Sequence, residues 1–239
     1  MNEVLVIIPT YNESENIIKI TKSIFAIHQD INILVVDDNS PDGTSSKVKE
    51  VISKFKGKLH LITRESKLGL GTAYLCGFKW AFKKKYNYII SMDADFSHNP
   101  SDLSRLYASC KNEENDICIG SRYVKGINVV NWPLQRIILS YFASLYVRII
   151  TRMKIMDPTS GFVCYSVTSL QKLNFNKIEF NGYAFQIEMK FKLWKKNFKL
   201  KEHQIIFVNR KLGKSKMNQS IIFEAIFGVI KLKINSFFK

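Results

Sequence analysis

The chain is poor in the residues that staple a fold or span a membrane. Only four cysteines occur in 239 residues, Cys76, Cys110, Cys118 and Cys164, with no Cys-x-x-Cys pair and no histidine clustered beside them. That pattern argues against a zinc site and reads as reduced, mostly buried thiols of a cytosolic protein. Long hydrophobic runs are also missing. The longest membrane candidate, Ile137 to Val147, is closed off by Arg136 and Arg148. It falls well short of the roughly 20 residues a spanning helix needs, so no transmembrane helix is expected. Met1-Asn2-Glu3 leads straight into an apolar run, without the basic leader and apolar core of a secretory signal. Acidic residues are scarce, 20 against 36 basic ones, giving a formal net charge of +16. Such a field favours anionic partners: nucleic acid, acidic lipid or phosphorylated substrates. The excess is mostly lysine, 29 Lys to 7 Arg, in a chain also rich in Asn, Ile and Phe, so biased codon usage is an alternative source. The last fifty positions carry 13 basic residues against two acidic ones, Glu202 and Glu224.

What is present is an ordinary globular composition, 46% hydrophobic and 23% charged, with ample length for a core. Val4-Leu5-Val6-Ile7-Ile8 and Ile31 to Val36 are apolar runs of the kind buried on both faces of a parallel sheet, and Leu59 to Thr63 is a third, shorter strand. Between them lie helical stripes, such as Ile17, Ile18, Ile20, Ile24, Phe25 and Ile27. Asn12 or Ser14 is expected to cap that first helix, and Thr44 the second, after the turn Pro41-Asp42-Gly43. Leu68-Gly69-Leu70-Gly71 opens a third helix running to about Lys84. Its glycines suit either helix–strand packing or close approach to a phosphate. Tyr88 to Ile90 and Ile117 to Ile119 are further strands. Helices are expected from Leu134 to Ile150 and from Gly182, and a late strand from Leu200 to Val208. Alternating β and α elements predict an α/β fold with a mostly parallel central sheet flanked by helices.

The chemistry gathers around Ser91-Met92-Asp93-Ala94-Asp95, where a strand emerges into a loop stopped by His98, Asn99 and Pro100. Ligands of open α/β sheets bind just outside the carboxyl ends of the strands. Positions i and i+2 of a strand share a face, so Asp93 and Asp95 are expected to converge on one hard cation. Mg²⁺ prefers few carboxylates, waters and phosphate oxygens, the setting of a nucleoside diphosphate. A lone Asp-x-Asp pair equally suits a solvated loop, and Asp37 and Asp38 suit either turn chemistry or recognition of a base or ribose. Later stretches add cations. The Leu134 to Ile150 helix has basic ends and an aromatic-rich middle, which fits a core helix or one lying at a membrane interface. Asn209 to Lys216 is a basic loop fit for gripping phosphates or for plain solvation.

Taken together, these motifs resemble the inverting family 2 glycosyltransferases with a GT-A fold, and within them the dolichol-phosphate (polyprenol-phosphate) mannose synthases. The resemblance is carried by Ile8 to Glu13, Val36 to Thr44, Met92 to Asp95, Gly120-Ser121-Arg122-Tyr123, Asn131-Trp132-Pro133, Asp157 to Phe162, and Arg210 with Ser215-Lys216. It implies a catalytic domain over 1–217 and an amphipathic C-terminal segment over 218–239. It also implies GDP-mannose as donor, polyprenyl or dolichyl phosphate as acceptor, and Mg²⁺ or Mn²⁺ as cofactor. Pro9, Tyr11, Glu13, Val36 and Asp38 would hold the nucleoside. Asp93, Ala94 and Asp95 would hold the diphosphate, with Asp93 and Asp95 as metal ligands and Ser97 where relatives can have Gln. Arg122 and Arg136 would bind donor or lipid phosphate and, with Asp95, carry catalysis; Arg210 and Lys216 would bind the diphosphate. The implied location is the cytoplasmic face of a membrane, held peripherally. A UDP-glucose or other sugar-nucleotide transferase, acting on a lipid phosphate or a sugar, is the alternative enzyme. A nucleic-acid-binding module is disfavoured because acidic strand-end loops repel phosphates. A membrane scaffold with a degenerate site is disfavoured by the intact acidic pair.

Overall fold

The computed structural model describes residues 1–210 and 219–237. The apolar runs become strands: β1 (Val4–Thr10), β2 (Asn32–Asp37), β3 (Leu59–Thr63), β4 (Tyr88–Ser91) and β5 (Ile117–Ser121), mostly buried except at the edge strand β3, where only Leu59 is. Helices α1 (Ile17–Ile27), α2 (Thr44–Val51), α3 (Leu70–Lys83) and α4 (Asp102–Lys111) alternate with them. Then come β6 (Val129–Val130), α5 (Leu134–Thr151), β7 (Val163–Ser166), α6 (Val167–Gln171), α7 (Ala184–Lys195), β8 (Leu200–Gln204), β9 (Phe207–Val208) and α8 (Gln219–Asn235).

Seven strands form one sheet in the order β3-β2-β1-β4-β7-β5-β8, and β6 pairs with β9 separately. All pairings are parallel except those of β7, which runs antiparallel to β4 and β5. Every other strand of the large sheet therefore ends at one edge, and β7 begins there. That edge collects the loops after β1, β2, β4, β5 and β8 together with the turn before β7.

Side chains of β1 alternate between two cores. Leu5 and Ile7 pack with Phe78, Phe185 and Tyr165, while Val4, Val6 and Ile8 pack with Ile17, Ile20 and Leu103. Each such fully buried aliphatic side chain stabilises by about 1.5–3 kcal/mol relative to exposure. Gly77 lets α3 press onto β1, since a Cβ there would lie 2.8 Å from Ile7 Cδ1.

Three local expectations change. The segment Leu200 to Val208 is two strands. The backbone N–H of Ile205 bonds to the Ser121 carbonyl, and its buried side chain packs over Gly120. This turns the chain out of the large sheet, so Phe207 pairs with Val129 instead. At α2 the capping position falls on Gly43, and Asp42 before it accepts from the Thr44 N–H at 3.0 Å and its hydroxyl at 2.6 Å. The Thr44 hydroxyl oxygen instead accepts from the Glu13 N–H at 3.0 Å, tying the β1 loop to α2. At α1 the capping position falls on Asn16, with no side-chain cap bond.

Cys110, Cys118 and Cys164 are buried and Cys76 is half-buried, all with free thiols. Helix α8 packs on the domain through Val229 and Leu232, with Gly228 against the Phe180 ring. The expected 217/218 boundary lies outside the described residues. Among the described residues, no helix is long and apolar enough to cross a membrane.

Candidate active site at the strand ends

Asp93 and Asp95 lie beyond the end of β4, in a turn where Phe96 takes a positive φ of 61°. Strand alternation therefore does not orient them; side-chain bonds of the turn do. Asp95 is buried, and its Oδ1 accepts from the Ser97 hydroxyl at 2.5 Å and the Ser97 N–H at 3.1 Å. Its Oδ2 lies 3.2 Å from an Arg210 nitrogen. Burial pushes the Asp95 carboxyl up, but Ser97 and the Arg210 charge outweigh it and hold it below the usual range. Asp93 keeps a 41% exposed side chain. Its carboxyl is raised by loss of water and then by the charge of Asp95, against the pull of Arg210. The pair thus carries surplus negative charge on hard oxygen ligands, with Asp93 open to the cleft, which fits a divalent cation. Among the described residues no group of three acidic, cysteine or histidine ligands surrounds it.

His98 braces this turn. It is buried, and its Nδ1 accepts from the Asp93 N–H at 3.1 Å. The proton therefore sits on Nε2, 3.9 Å from Asp93 Oδ2. The ring stacks on Phe162 at 4.7 Å, and burial lowers its basicity, keeping it neutral. In the sequence His98 looked like part of a strand stop; its spacing from Asp93 was the available signal.

The residues expected to hold a nucleoside lie at the ends of β1 and β2. Pro9 and Tyr11 are half-buried, Glu13 is buried, and Val36 lies wholly in the core. Asp37 and Asp38 differ in the partners that hold them. Asp37 is fully buried and accepts from Thr10, Ser40 and Ser45 hydroxyls and the Ser40 N–H. It is a structural knot. Asp38 meets Arg64, whose Nε donates to Asp38 Oδ1 at 2.6 Å. Arg64 also donates to Thr72 Oγ1 at 2.6 Å and to the Gly69 carbonyl at 3.2 Å, so it ties Asp38 to the start of α3. Asp38 Oδ2 has no hydrogen bond to any described residue and remains available to a ligand. Lys67 sits 4.3 Å from the centre of the Tyr11 ring. Gly69 and Gly71 face the Phe180–Asn181 backbone, which is a packing role.

Arginines line the other side. Arg122, at the end of β5, is almost buried and forms a fork on Asp157: Nε to Oδ2 and NH2 to Oδ1, both 2.7 Å. NH2 also donates to Thr159 Oγ1 at 2.7 Å. NH1 is left without a hydrogen bond to a described residue. The Asp157 carboxyl is pushed up by burial but pulled below its usual range by Arg122. Trp132 lies between two guanidinium groups, with Arg136 3.9 Å and Arg122 5.8 Å from its ring centre. Arg136 donates to Asn209 Oδ1 at 2.8 Å. Burial and the charges of Arg210 and Arg122 ease its proton off more readily than usual. Such crowding of cations favours a bound anion. Ala94 and Ser97 are buried in the Asp turn, and Lys216 lies outside the described residues. Arg64 and the Arg122–Asp157 fork were not expected from motifs, since each depends on residues distant in sequence.

Residues 5–174 match the profile described as Glycosyl transferase family 2. A polyprenol monophosphomannose synthase of Mycolicibacterium smegmatis is 42% identical over 225 residues, covering 94% of this chain and 84% of that protein. An undecaprenyl-phosphate mannosyltransferase of Micrococcus luteus is 38% identical, covering 95% of this chain and 93% of that one. A dolichol-phosphate mannosyltransferase of Pyrococcus furiosus is 38% identical, covering 96% of this chain but 63% of its own length. Among solved structures, a glucosyl-3-phosphoglycerate synthase from Mycobacterium tuberculosis with Mn²⁺ and uridine diphosphate superposes with a TM-score of 0.69. At 16% identity, over 97% of this chain and 78% of that one, it shares the fold alone.

Proposed function

The chain belongs to glycosyl transferase family 2 and is a glycosyltransferase of GT-A fold, and from that premise we propose that it transfers mannose from GDP-mannose to a polyprenyl or dolichyl phosphate with inversion. The observation that carries the reading is the apposition of an acidic turn, Asp93 and Asp95, to the cations Arg122, Arg136 and Arg210 at one sheet edge. The names of the relatives, all polyprenol-type phosphate mannosyltransferases, support the sugar and the acceptor class.

Asp38, beside Arg64, would accept from the base or ribose, with Tyr11 and Glu13 closing the nucleoside site. Asp93 and Asp95 would hold Mg²⁺ or Mn²⁺, which when bound neutralises the donor's diphosphate. Arg210 already reaches this turn and would stabilise the departing diphosphate. The NH1 edge of Arg122, without a hydrogen bond to a described residue, would receive the acceptor phosphate together with Arg136. That phosphate is anionic at neutral pH and needs no strong base to attack the anomeric carbon. The arginines also offset repulsion between two anionic substrates.

An apolar face on α5 and α8 suits a lipid acceptor. Leu134 (71% exposed), Ile138, Phe142 and Ile149 on α5, with Phe227 on α8 and Phe237 just after it, point to solvent. With nearby Arg and Lys, this surface would rest on an anionic membrane and hold the protein there peripherally.

The test is a donor screen. The protein is incubated with polyprenyl phosphate and either GDP-mannose, UDP-glucose or other sugar nucleotides, and the lipid product is examined by NMR. The expected result is a mannosyl lipid phosphate of inverted anomeric configuration. Preferential use of UDP-glucose, or retention at the anomeric carbon, would overturn the proposal.

A further inference from the structure

Beneath Arg122 lies a charge that the proposed reaction does not use. Lys190, on α7, is 0% exposed. Its ammonium donates to the Ser160 carbonyl at 2.6 Å and to the Gln186 carbonyl at 3.1 Å. Ser160 belongs to the turn that carries Asp157, and its hydroxyl donates to the Gly120 carbonyl at 2.7 Å, two positions before Arg122. One ammonium therefore grips the segment that orients the arginine.

The charged groups facing Lys190 are Asp157, Arg122 and Glu202. Glu202, on β8, accepts from the Met156 N–H at 2.6 Å and the Asp157 N–H at 2.9 Å, anchoring the same turn from the other side. Two carboxylates face one guanidinium and one ammonium. The set is neutral only while Lys190 is charged. With Lys190 neutral, a net negative charge remains directly behind the arginine that would meet an anion. Burying an ammonium on carbonyl acceptors alone is costly, and an apolar side chain would fill the same space in α7. Placing one here suits a site that must attract phosphate.

We propose that Lys190 is a positioning residue for the acceptor: it fixes the Asp157–Gly161 turn and balances the charge behind Arg122, so that Arg122 NH1 presents a net positive field to the acceptor's phosphate. The proposal rests on the anionic acceptor argued above. Burial brings the Lys190 ammonium down to about 7, so its charge is held in mildly acidic solution and shed in mildly basic solution. Acceptor binding should weaken across that interval.

The experiment compares wild type with Lys190→Met at about pH 6 and about pH 8.5, measuring KM for polyprenyl phosphate and kcat at saturation. Taking the ratio at each pH cancels the acceptor's own titration. The lost donor contributes a constant factor and the lost charge a pH-dependent one. The variant-to-wild-type ratio of KM should be roughly tenfold larger at the lower pH than at the higher, the size expected for one charge acting across a buried layer, with only the constant factor of the lost donor remaining at the higher. An equal ratio at both values, or a loss in kcat alone, would overturn the proposal.

If wild type transfers no sugar to any acceptor, the functional reading fails by itself, and thermal stability still tests Lys190. Its folded value lies below the unfolded one, so wild type should gain stability relative to the variant as pH rises above about 7. A constant difference in Tm would remove the charge from the account. Should the Met variant fail to fold, ¹³Cε-lysine NMR of wild type is expected to show one lysine titrating near 7. Titration of every lysine above about 9 would contradict the proposal.

Discussion

The two flanks of the strand-end cleft solve opposite electrostatic problems. On the β1–β4 side, carboxylates come first, and mostly short-range partners hold them: Asp95 by Ser97, Asp37 by Ser40 and Ser45, Asp42 by Thr44. On the β5–β9 side, guanidinium groups come first, and each depends on a distant partner: Arg122 on Asp157, Arg136 on Asn209. The first flank has surplus negative charge and calls for a cation. The second has surplus positive charge and calls for an anion. A site that joins a diphosphate to a second phosphate needs both, and Arg210 on Asp95 is the one described ion pair that links them.

Removing the acidic side should have the largest effect. Asp95→Ala is expected to lower kcat/KM by about a thousandfold or more, roughly 4 kcal/mol, with circular dichroism unchanged. Full activity would erase the functional distinction between the flanks. Next comes the support of the cationic side. Asp157→Ala leaves a buried guanidinium unpaired and should cost about 3–5 kcal/mol in chemical denaturation. Because Arg122 holds the Asp157 carboxyl below its usual range, this stabilisation is present above about pH 4 and is lost as pH falls through the lowered value. The acid limb of the wild-type stability curve should therefore be steeper than the variant's. Arg64→Lys keeps the charge but not the fork on Asp38, Thr72 and Gly69. It should raise the Kd for GDP by roughly tenfold in calorimetry and leave kcat nearly unchanged. The smallest effect is expected at the periphery. Phe142→Ser should weaken binding to anionic vesicles severalfold in flotation, while transfer to a short, water-soluble acceptor stays the same.

The same contrast explains what could be read from sequence. Strands β1 to β5 were legible because each is an apolar run closed by a polar turn, and burial follows from that pattern except at β3, whose place at the sheet edge leaves it half-buried. The acidic turn was legible because its two carboxylates are neighbours in the chain, although side-chain bonds of the turn, and not strand alternation, orient them. The Leu200 to Val208 segment misled because its composition is continuous. The break at Ile205 is made by the space above Gly120, a fact of the third dimension. Arg64 and Lys190 act through partners that topology brings near, and no local pattern marks an ammonium buried close to Arg122. Lys216 falls outside the described residues, so its expected place on the diphosphate stays a proposal.

The most direct test is transfer of radiolabelled mannose from GDP-mannose to polyprenyl phosphate, run with Mg²⁺ or Mn²⁺, with chelator, and with metal restored. The account predicts a lipid-soluble labelled product that chelator abolishes and added metal restores. A product formed equally well in chelator, or no product from folded protein across several lipid lengths, would contradict it.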